Sequence, residues 1–365
     1  MEANRYLWKI HKPLVGSVIV LLLLGALTVD SASMLLYLRF PSVKYLFFAK
    51  HVFFILLGAT LGYLLLNIRT RFYLKGWFVV LSNLVILPLL FLVFIFPARN
   101  GAHRWVQIAG LTIQPSEFAK IVVMLTLALL LAPGRSRSQE TLAFLYLGAI
   151  FLLVALEPDV GTSLFLLAVG IFMMLLARVR FKKLLGWGGG LLLLGLSLLI
   201  ITGRVGHVKK RLSDFFSGQK EISTQEEQAL VALGSGGLTG SSPGESLEKF
   251  FYLPEAHSDY IFSILGEEWG FVGTSAVVFL FLLFLFSGFH IASSVNQPGA
   301  SLLAYGLTIS VVLQALVNIT VNVGLFPSKG LPLPFMSYGG SAMLSSLLQA
   351  GILTHIWMWR REYEA

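Results

Sequence analysis

Four carboxylates, a histidine and a proline crowd the entrance of one long apolar segment. Lys249 to Gly273 reads Lys-Phe-Phe-Tyr-Leu-Pro-Glu-Ala-His-Ser-Asp-Tyr-Ile-Phe-Ser-Ile-Leu-Gly-Glu-Glu-Trp-Gly-Phe-Val-Gly, with Lys249, Glu255, His257, Asp259, Glu267 and Glu268 among its ionisable groups. Acids placed where a helix enters a hydrocarbon layer are costly unless paired or used. Asp259 is the candidate base or nucleophile. Glu267 and Glu268, about two turns deeper, suit a structural or partner-facing role.

Three further polar stretches accompany it. Asn100-Gly-Ala-His-Arg-Trp is followed by Gln114-Pro-Ser-Glu-Phe-Ala-Lys, where Pro115 suits a first helical turn. Glu117 and Lys120, at i and i+3, can pair on one face as that helix descends. Glu157-Pro-Asp-Val-Gly-Thr makes a tight turn bearing two carboxylates, Glu157 and Asp159. Phe326-Pro-Ser-Lys-Gly-Leu-Pro-Leu-Pro-Phe-Met-Ser-Tyr-Gly-Gly-Ser, which includes Lys329 and Ser337, is too rich in proline and glycine for a regular helix. Such backbone must be buried in protein or line a wet cavity. Gln314, Asn318 and Asn322, at i, i+4 and i+8, form a polar stripe up to this loop, which interhelical hydrogen bonding alone would also explain.

These groups are held by a membrane protein. The 365 residues are 56% hydrophobic and 12% charged, with mean hydropathy +0.81, well outside the range of soluble domains. Apolar runs of about 20 residues recur, each long enough to cross about 30 Å of hydrocarbon as a helix. The sequence predicts an all-α polytopic protein, one integral domain over residues 1–365, with ten transmembrane helices near 14–36, 45–66, 77–97, 116–133, 140–157, 162–178, 184–203, 260–288, 300–325 and 340–359. Arg5, Lys9 and Lys12, Arg69/Arg71/Lys75, Arg135/Arg137, Arg178/Arg180/Lys182/Lys183 and Arg360/Arg361 fall on one side, which puts both termini in the cytoplasm. That rule also accounts for the formal charge of +9 better than nucleic-acid binding does. Ser31-Ala-Ser makes a passable signal-cleavage site, but the preceding run is long enough to span and reads as the first helix. The absence of cysteine excludes disulfides, thiol catalysis and thiolate metal sites.

One large extracytoplasmic loop, 203–259, separates the seventh and eighth spans. Val208, Leu212, Phe215 and Phe216 share a helical face beside Lys209, Lys210 and Arg211, as in a helix lying in the membrane interface. A glycine-rich turn follows from Leu233 to Gly244, and it lacks the lysine and serine or threonine that close a Walker loop. On this topology the polar stretches converge on the outer face, bringing Asp259, the Glu117–Lys120 pair and the cations Arg104, Arg211 and Lys329 to one side.

The motifs resemble those of the shape, elongation, division and sporulation (SEDS) family. The resemblance rests on Asn100-Gly-Ala…Arg104-Trp105, Gln114-Pro-Ser-Glu117…Lys120, Pro158-Asp-Val-Gly-Thr162, Leu253-Pro-Glu-Ala-His-Ser-Asp259-Tyr-Ile-Phe262 with Glu267-Glu268, and Leu333-Pro-Phe-Met-Ser337-Tyr-Gly-Gly-Ser341. They stand in the family's order from about Ser31 to the end. Ser328-Lys-Gly330 and Glu157 resemble the division branch more than the elongation branch. Three positions depart from the family's pattern: Ser258 where threonine is frequent, Gly240-Ser-Ser-Pro-Gly244-Glu-Ser246 for Gly-x-Gly-Leu-Gly-x-Ser, and Lys50-His51 where the second span commonly has glutamine.

The resemblance implies a multi-pass glycosyltransferase of the bacterial cytoplasmic (inner) membrane. It would join lipid II to undecaprenyl-pyrophosphate-linked glycan on the outer face, beside a class B penicillin-binding protein and membrane lipids. The reaction needs a base near the acceptor hydroxyl and cations near the leaving pyrophosphate. Asp259 is then the base, and inversion makes one displacement sufficient. Lys120, oriented by Glu117, together with Arg211 and Arg104 would hold pyrophosphate; Lys329, Ser337, Asp159, Glu255 and His257 complete the expected substrate site. A divalent cation, magnesium or manganese, could share the pyrophosphate's charge with Asp259 or Glu255 as ligand, although no dedicated metal motif is present. Two other readings remain at this point: a lipid II flippase, which would need a polar path through the midplane, and a non-catalytic scaffold for the penicillin-binding protein.

Overall fold

The computed structural model describes residues 10–34, 46–68, 72–97, 103–108, 111–201, 206, 225–244, 246, 257–327 and 330–360. Among them the fold is helical apart from one short hairpin. In chain order the helices are α1 Lys12–Ala32, α2 Leu46–Leu66, α3 Gly76–Leu92, α4 Pro115–Leu130, α5 Arg137–Leu156, α6 Val160–Leu176, α7 Phe181–Ile201, α8 Gln225–Ser235, α9 Ile261–Ser293, α10 Pro298–Asn322 and α11 Gly340–Met358. Each of the ten expected segments falls on one of these helices. Seven are long and apolar enough to cross a membrane, α3 when taken with the 3-10 turn Val93–Ile95 that continues it, and α6 is apolar but has only 17 residues. The helix α4 carries Glu117 and Lys120 within its 16 residues, and α11 carries three serines and a glutamine.

Local sequence explains the helix starts. His11 caps α1 ahead of Pro13, Ser136 and Gln139 form a reciprocal capping box on α5, and Asp159 accepts from the Thr162 amide at the start of α6. Pro115 and Pro298 stand in the first turns of α4 and α10, where a missing amide costs nothing.

The core is built by α4, α6, α9, α10 and α11, while α2, α3 and α7 present Leu56, Leu64, Leu84 and Leu193 outward. Small residues let backbones approach closely: a Cβ on Gly351 would lie 3.0 Å from the Gly62 Cα, where α2 and α11 cross. This is the packing expected where lipid is as apolar as the helix surface.

Two elements escape the sequence pattern. The hairpin β1 Val106–Ile108 and β2 Leu111–Ile113 pairs antiparallel, with Gln107 opposite Thr112, and sets the entry of α4. The other is α8, within the segment read as a polar loop; the interfacial helix expected over residues 208–216 lies outside the described residues.

The glycine-rich turn after α8 mends a break in α9. Gly270 adopts φ 63° and ψ −160°, a conformation open essentially only to glycine, and interrupts the helix. The carbonyls freed there, of Glu267 and Glu268, accept from the Ser241 and Ser242 amides at 3.0 and 3.2 Å. The freed amides of Phe271 and Val272 donate to the Gly237 and Leu238 carbonyls at 2.9 and 3.1 Å. The turn thus pairs two carbonyls and two amides at the break, as a lipid environment favours. Gly240 sits at φ 82°, and a Cβ there would lie 2.1 Å from the Glu268 carbonyl oxygen. Gly240→Ala is therefore expected to destabilise the fold by about 2 kcal/mol or more, read as a lowered Tm in detergent.

Candidate functional site

The segment 257–259 is held from three sides. Tyr338 N donates to the His257 carbonyl at 2.9 Å. Ser337 Oγ donates to the Ser258 carbonyl at 2.6 Å while accepting from Leu333 N at 2.7 Å. The Asp259 carbonyl accepts from both Asn318 Nδ2 and Asn322 Nδ2 at 3.0 Å. The proline-rich stretch before α11 and the amide stripe of α10 therefore meet on the residues that lead into α9. A Cβ at Gly330 would lie 3.4 Å from Asp259 Oδ2, so the carboxylate lies along this loop. Rings of Phe47, His257 and Tyr338 cluster beside it, with centroids 5.4 to 5.9 Å apart.

The same helix joins a second group. Gln314 Nε2 donates to the Pro332 carbonyl at 2.7 Å, and its Oε1 accepts from Lys120 Nζ at 2.7 Å. Lys120 also donates to Glu117 Oε1 at 2.7 Å and stands 5.1 Å above the Phe165 ring. Lys120 is wholly enclosed and Glu117 nearly so. A lysine expected at the surface of a substrate cavity is here an interhelical tie between α4 and α10, with Ser345 of α11 donating to the Glu117 carbonyl.

A third group sits at the turn 157–159. Arg104 lies 3.7 Å from Asp159 and bonds the Pro158 carbonyl. Gln114 Nε2 donates to Asp159 Oδ2 at 3.4 Å, and Gln114 N donates to Ser341 Oγ at 3.0 Å, tying this turn to the start of α11. Arg104 keeps 28% of its side chain exposed and so remains within reach of a ligand. Glu157, fully buried, finds no hydrogen-bond partner among the described residues for either carboxylate oxygen. A carboxylate buried without a partner is costly, so Glu157→Gln, which keeps the shape without the charge, is expected to raise Tm at pH 8 by roughly 5 °C.

Glu267 and Glu268 are buried and bonded to Ser246 and Ser31 respectively, and the second bond ties the C-terminal end of α1 to the first half of α9. Arg211, Lys329 and Glu255 lie outside the described residues. Among the described residues no three His, Cys, Asp or Glu side chains gather to hold a metal ion. The residues that sequence reading passed over are the serines Ser263 and Ser341, whose partners are 59 and 227 positions away.

A family of cell cycle proteins, named for FtsW, RodA and SpoVE, matches residues 13–362. The probable peptidoglycan glycosyltransferase FtsW of Halothiobacillus neapolitanus is 34% identical over 94% of this chain and 85% of its own. That of Coxiella burnetii is 34% identical over 96% of both. Among solved structures, the rod shape determining protein RodA of Thermus thermophilus superposes with a TM-score of 0.70 at 25% identity, over 96% of this chain and 97% of its own. A chain of a peptidoglycan synthase complex, solved for the structural coordination of polymerization and crosslinking, superposes with a TM-score of 0.75 at 24% identity over the same shares. The chain belongs to the FtsW, RodA and SpoVE family of cell cycle proteins, the SEDS family that its motifs resemble.

Proposed function

We propose that this multi-pass inner-membrane protein is a peptidoglycan glycosyltransferase that polymerises lipid II on the outer face of the membrane, in the service of division. Its relatives of this name support the activity and the division branch. Seven apolar helices support the membrane placement; ten spans with both termini inside, and the loop 203–259 outside, are part of the proposal.

The observation that carries the chemistry is Asp259 at the mouth of α9, its backbone fixed by α10 and by the loop before α11. In the reaction Asp259 takes the proton from the acceptor's GlcNAc 4-hydroxyl. That oxygen attacks the anomeric carbon of the growing chain as the bond to undecaprenyl pyrophosphate breaks. One displacement inverts the configuration, and no carboxylate ester intermediate is needed. Arg104, with Arg211 and Lys329, would face the departing charge. An apolar cleft of 590 Å³ lined by Phe262, Gly266, Phe279 and Ile319 runs down the flank of α9 below Asp259, and fits part of a polyprenyl chain.

A class B penicillin-binding protein is the partner proposed for crosslinking, in line with the synthase complex whose chain shares the fold. The test is the purified chain with such a partner, its transpeptidase blocked by penicillin, and fluorescent lipid II. A ladder of glycan strands is expected. Intact lipid II that crosses vesicle bilayers would instead make the protein a transporter, and neither outcome would leave it a scaffold.

A further inference from the structure

We infer that Asn318 and Asn322 are positioning residues for Asp259: they fix the backbone from which its carboxylate projects, rather than merely joining helices. The inference rests on the reading of Asp259 as the base. A carbonyl oxygen has two lone pairs, and both of those on Asp259 are taken, one by each asparagine at 3.0 Å. The peptide plane after the Asp259 Cα is thereby fixed. The plane before it carries the Ser258 carbonyl, which is held by Ser337 Oγ at 2.6 Å. With both flanking planes pinned, φ and ψ of Asp259 are set, and so is its Cα–Cβ direction. The side-chain torsions of Asp259 thus start from a fixed backbone.

The amides can do this because their own orientation is settled. Asn322 Oδ1 accepts from Ser263 N at 3.1 Å and from Ser263 Oγ at 2.8 Å, which turns its NH₂ towards Asp259. Asn318 Nδ2 also donates to the Leu331 carbonyl at 2.9 Å, so one side chain spans from Asp259 to the loop that flanks its carboxylate. Asn318 and Asn322 stand one turn apart on a single rigid helix, and both are buried. The stripe is therefore a fixed jig for one residue. A misplacement of about 1 Å at a reacting group costs on the order of 100-fold in rate.

The experiment compares wild type, Asn318→Ala, Asn322→Ala and Asp259→Ala in the lipid II polymerisation assay, with Tm and amide hydrogen exchange measured on each. Both asparagine variants are expected to lower kcat about 10- to 100-fold with the KM for lipid II within about twofold. Faster exchange across 257–261 should accompany the loss. Unchanged kcat in a folded variant, or a loss carried by KM alone, overturns the inference. Should Asn318→Ala fail to fold, Asn322→Ala decides, since it leaves Asn318 bonded to Asp259 and Leu331. A wild type without polymer, or an Asp259→Ala variant as fast as wild type, would defeat the underlying reading instead. Fast asparagine variants beside an inactive Asp259→Ala would defeat the positioning role alone.

Discussion

Asp259→Ala is expected to abolish strand polymerisation while leaving the protein folded. Loss of a general base typically costs about 10²- to 10⁴-fold, which corresponds to roughly 3 to 5 kcal/mol of transition-state stabilisation. The backbone of residues 257–259 is held through its carbonyls by Tyr338, Ser337, Asn318 and Asn322. Removing the carboxylate leaves those bonds in place, so Tm should stay near wild type. Asp259→Asn should be as inactive as Asp259→Ala, because it restores the shape without the proton acceptor. Glycan ladders from lipid II check both. Polymer from Asp259→Ala at the wild-type rate would remove Asp259 from the mechanism.

Lys120→Met should do the opposite: lower stability severely, whatever its effect on rate. The substitution leaves the Glu117 carboxylate, 2% exposed, without the ammonium 2.7 Å away. Breaking a buried pair by removing one member costs about 3–5 kcal/mol, because a buried charge is left uncompensated. Gln314 loses its donor as well, and with it the link from α4 through α10 to Pro332. Adding Glu117→Gln should recover much of the loss, since the stranded charge is then gone. Tm in detergent and the amount of folded protein recovered from membranes measure both effects. A Lys120→Met protein with wild-type Tm and only a raised KM would instead mean that Lys120 contacts substrate.

The two expectations separate residues that sequence reading had grouped together. Lys120 and Asp259 both appeared as charges at the outer ends of apolar segments. The local pattern of Gln114-Pro-Ser-Glu-Phe-Ala-Lys shows that Glu117 and Lys120 can pair, but not that Phe165 and Gln314 close over the pair. The stripe of Gln314, Asn318 and Asn322 was visible as a periodicity. Its partners were not, since Asp259 lies 59 and 63 positions away from the two asparagines. The turn 236–242 looked like flexible chain, because nothing local in its glycines says that it fits a break in another helix.

By itself the sequence determined the membrane class, the positions of the long helices and the family, and it singled out Asp259 as the candidate base. Those properties are local: a hydrocarbon layer selects runs of apolar residues, and caps and prolines mark where the runs begin. Only the tertiary structure decided what each polar group does. Inside a protein surrounded by lipid every buried donor must find an acceptor, and the acceptor is supplied by whichever helix packs alongside, not by the neighbouring residue in the chain. That is why Lys120 became a tie between helices, and why two asparagines of α10 came to hold the Asp259 carbonyl.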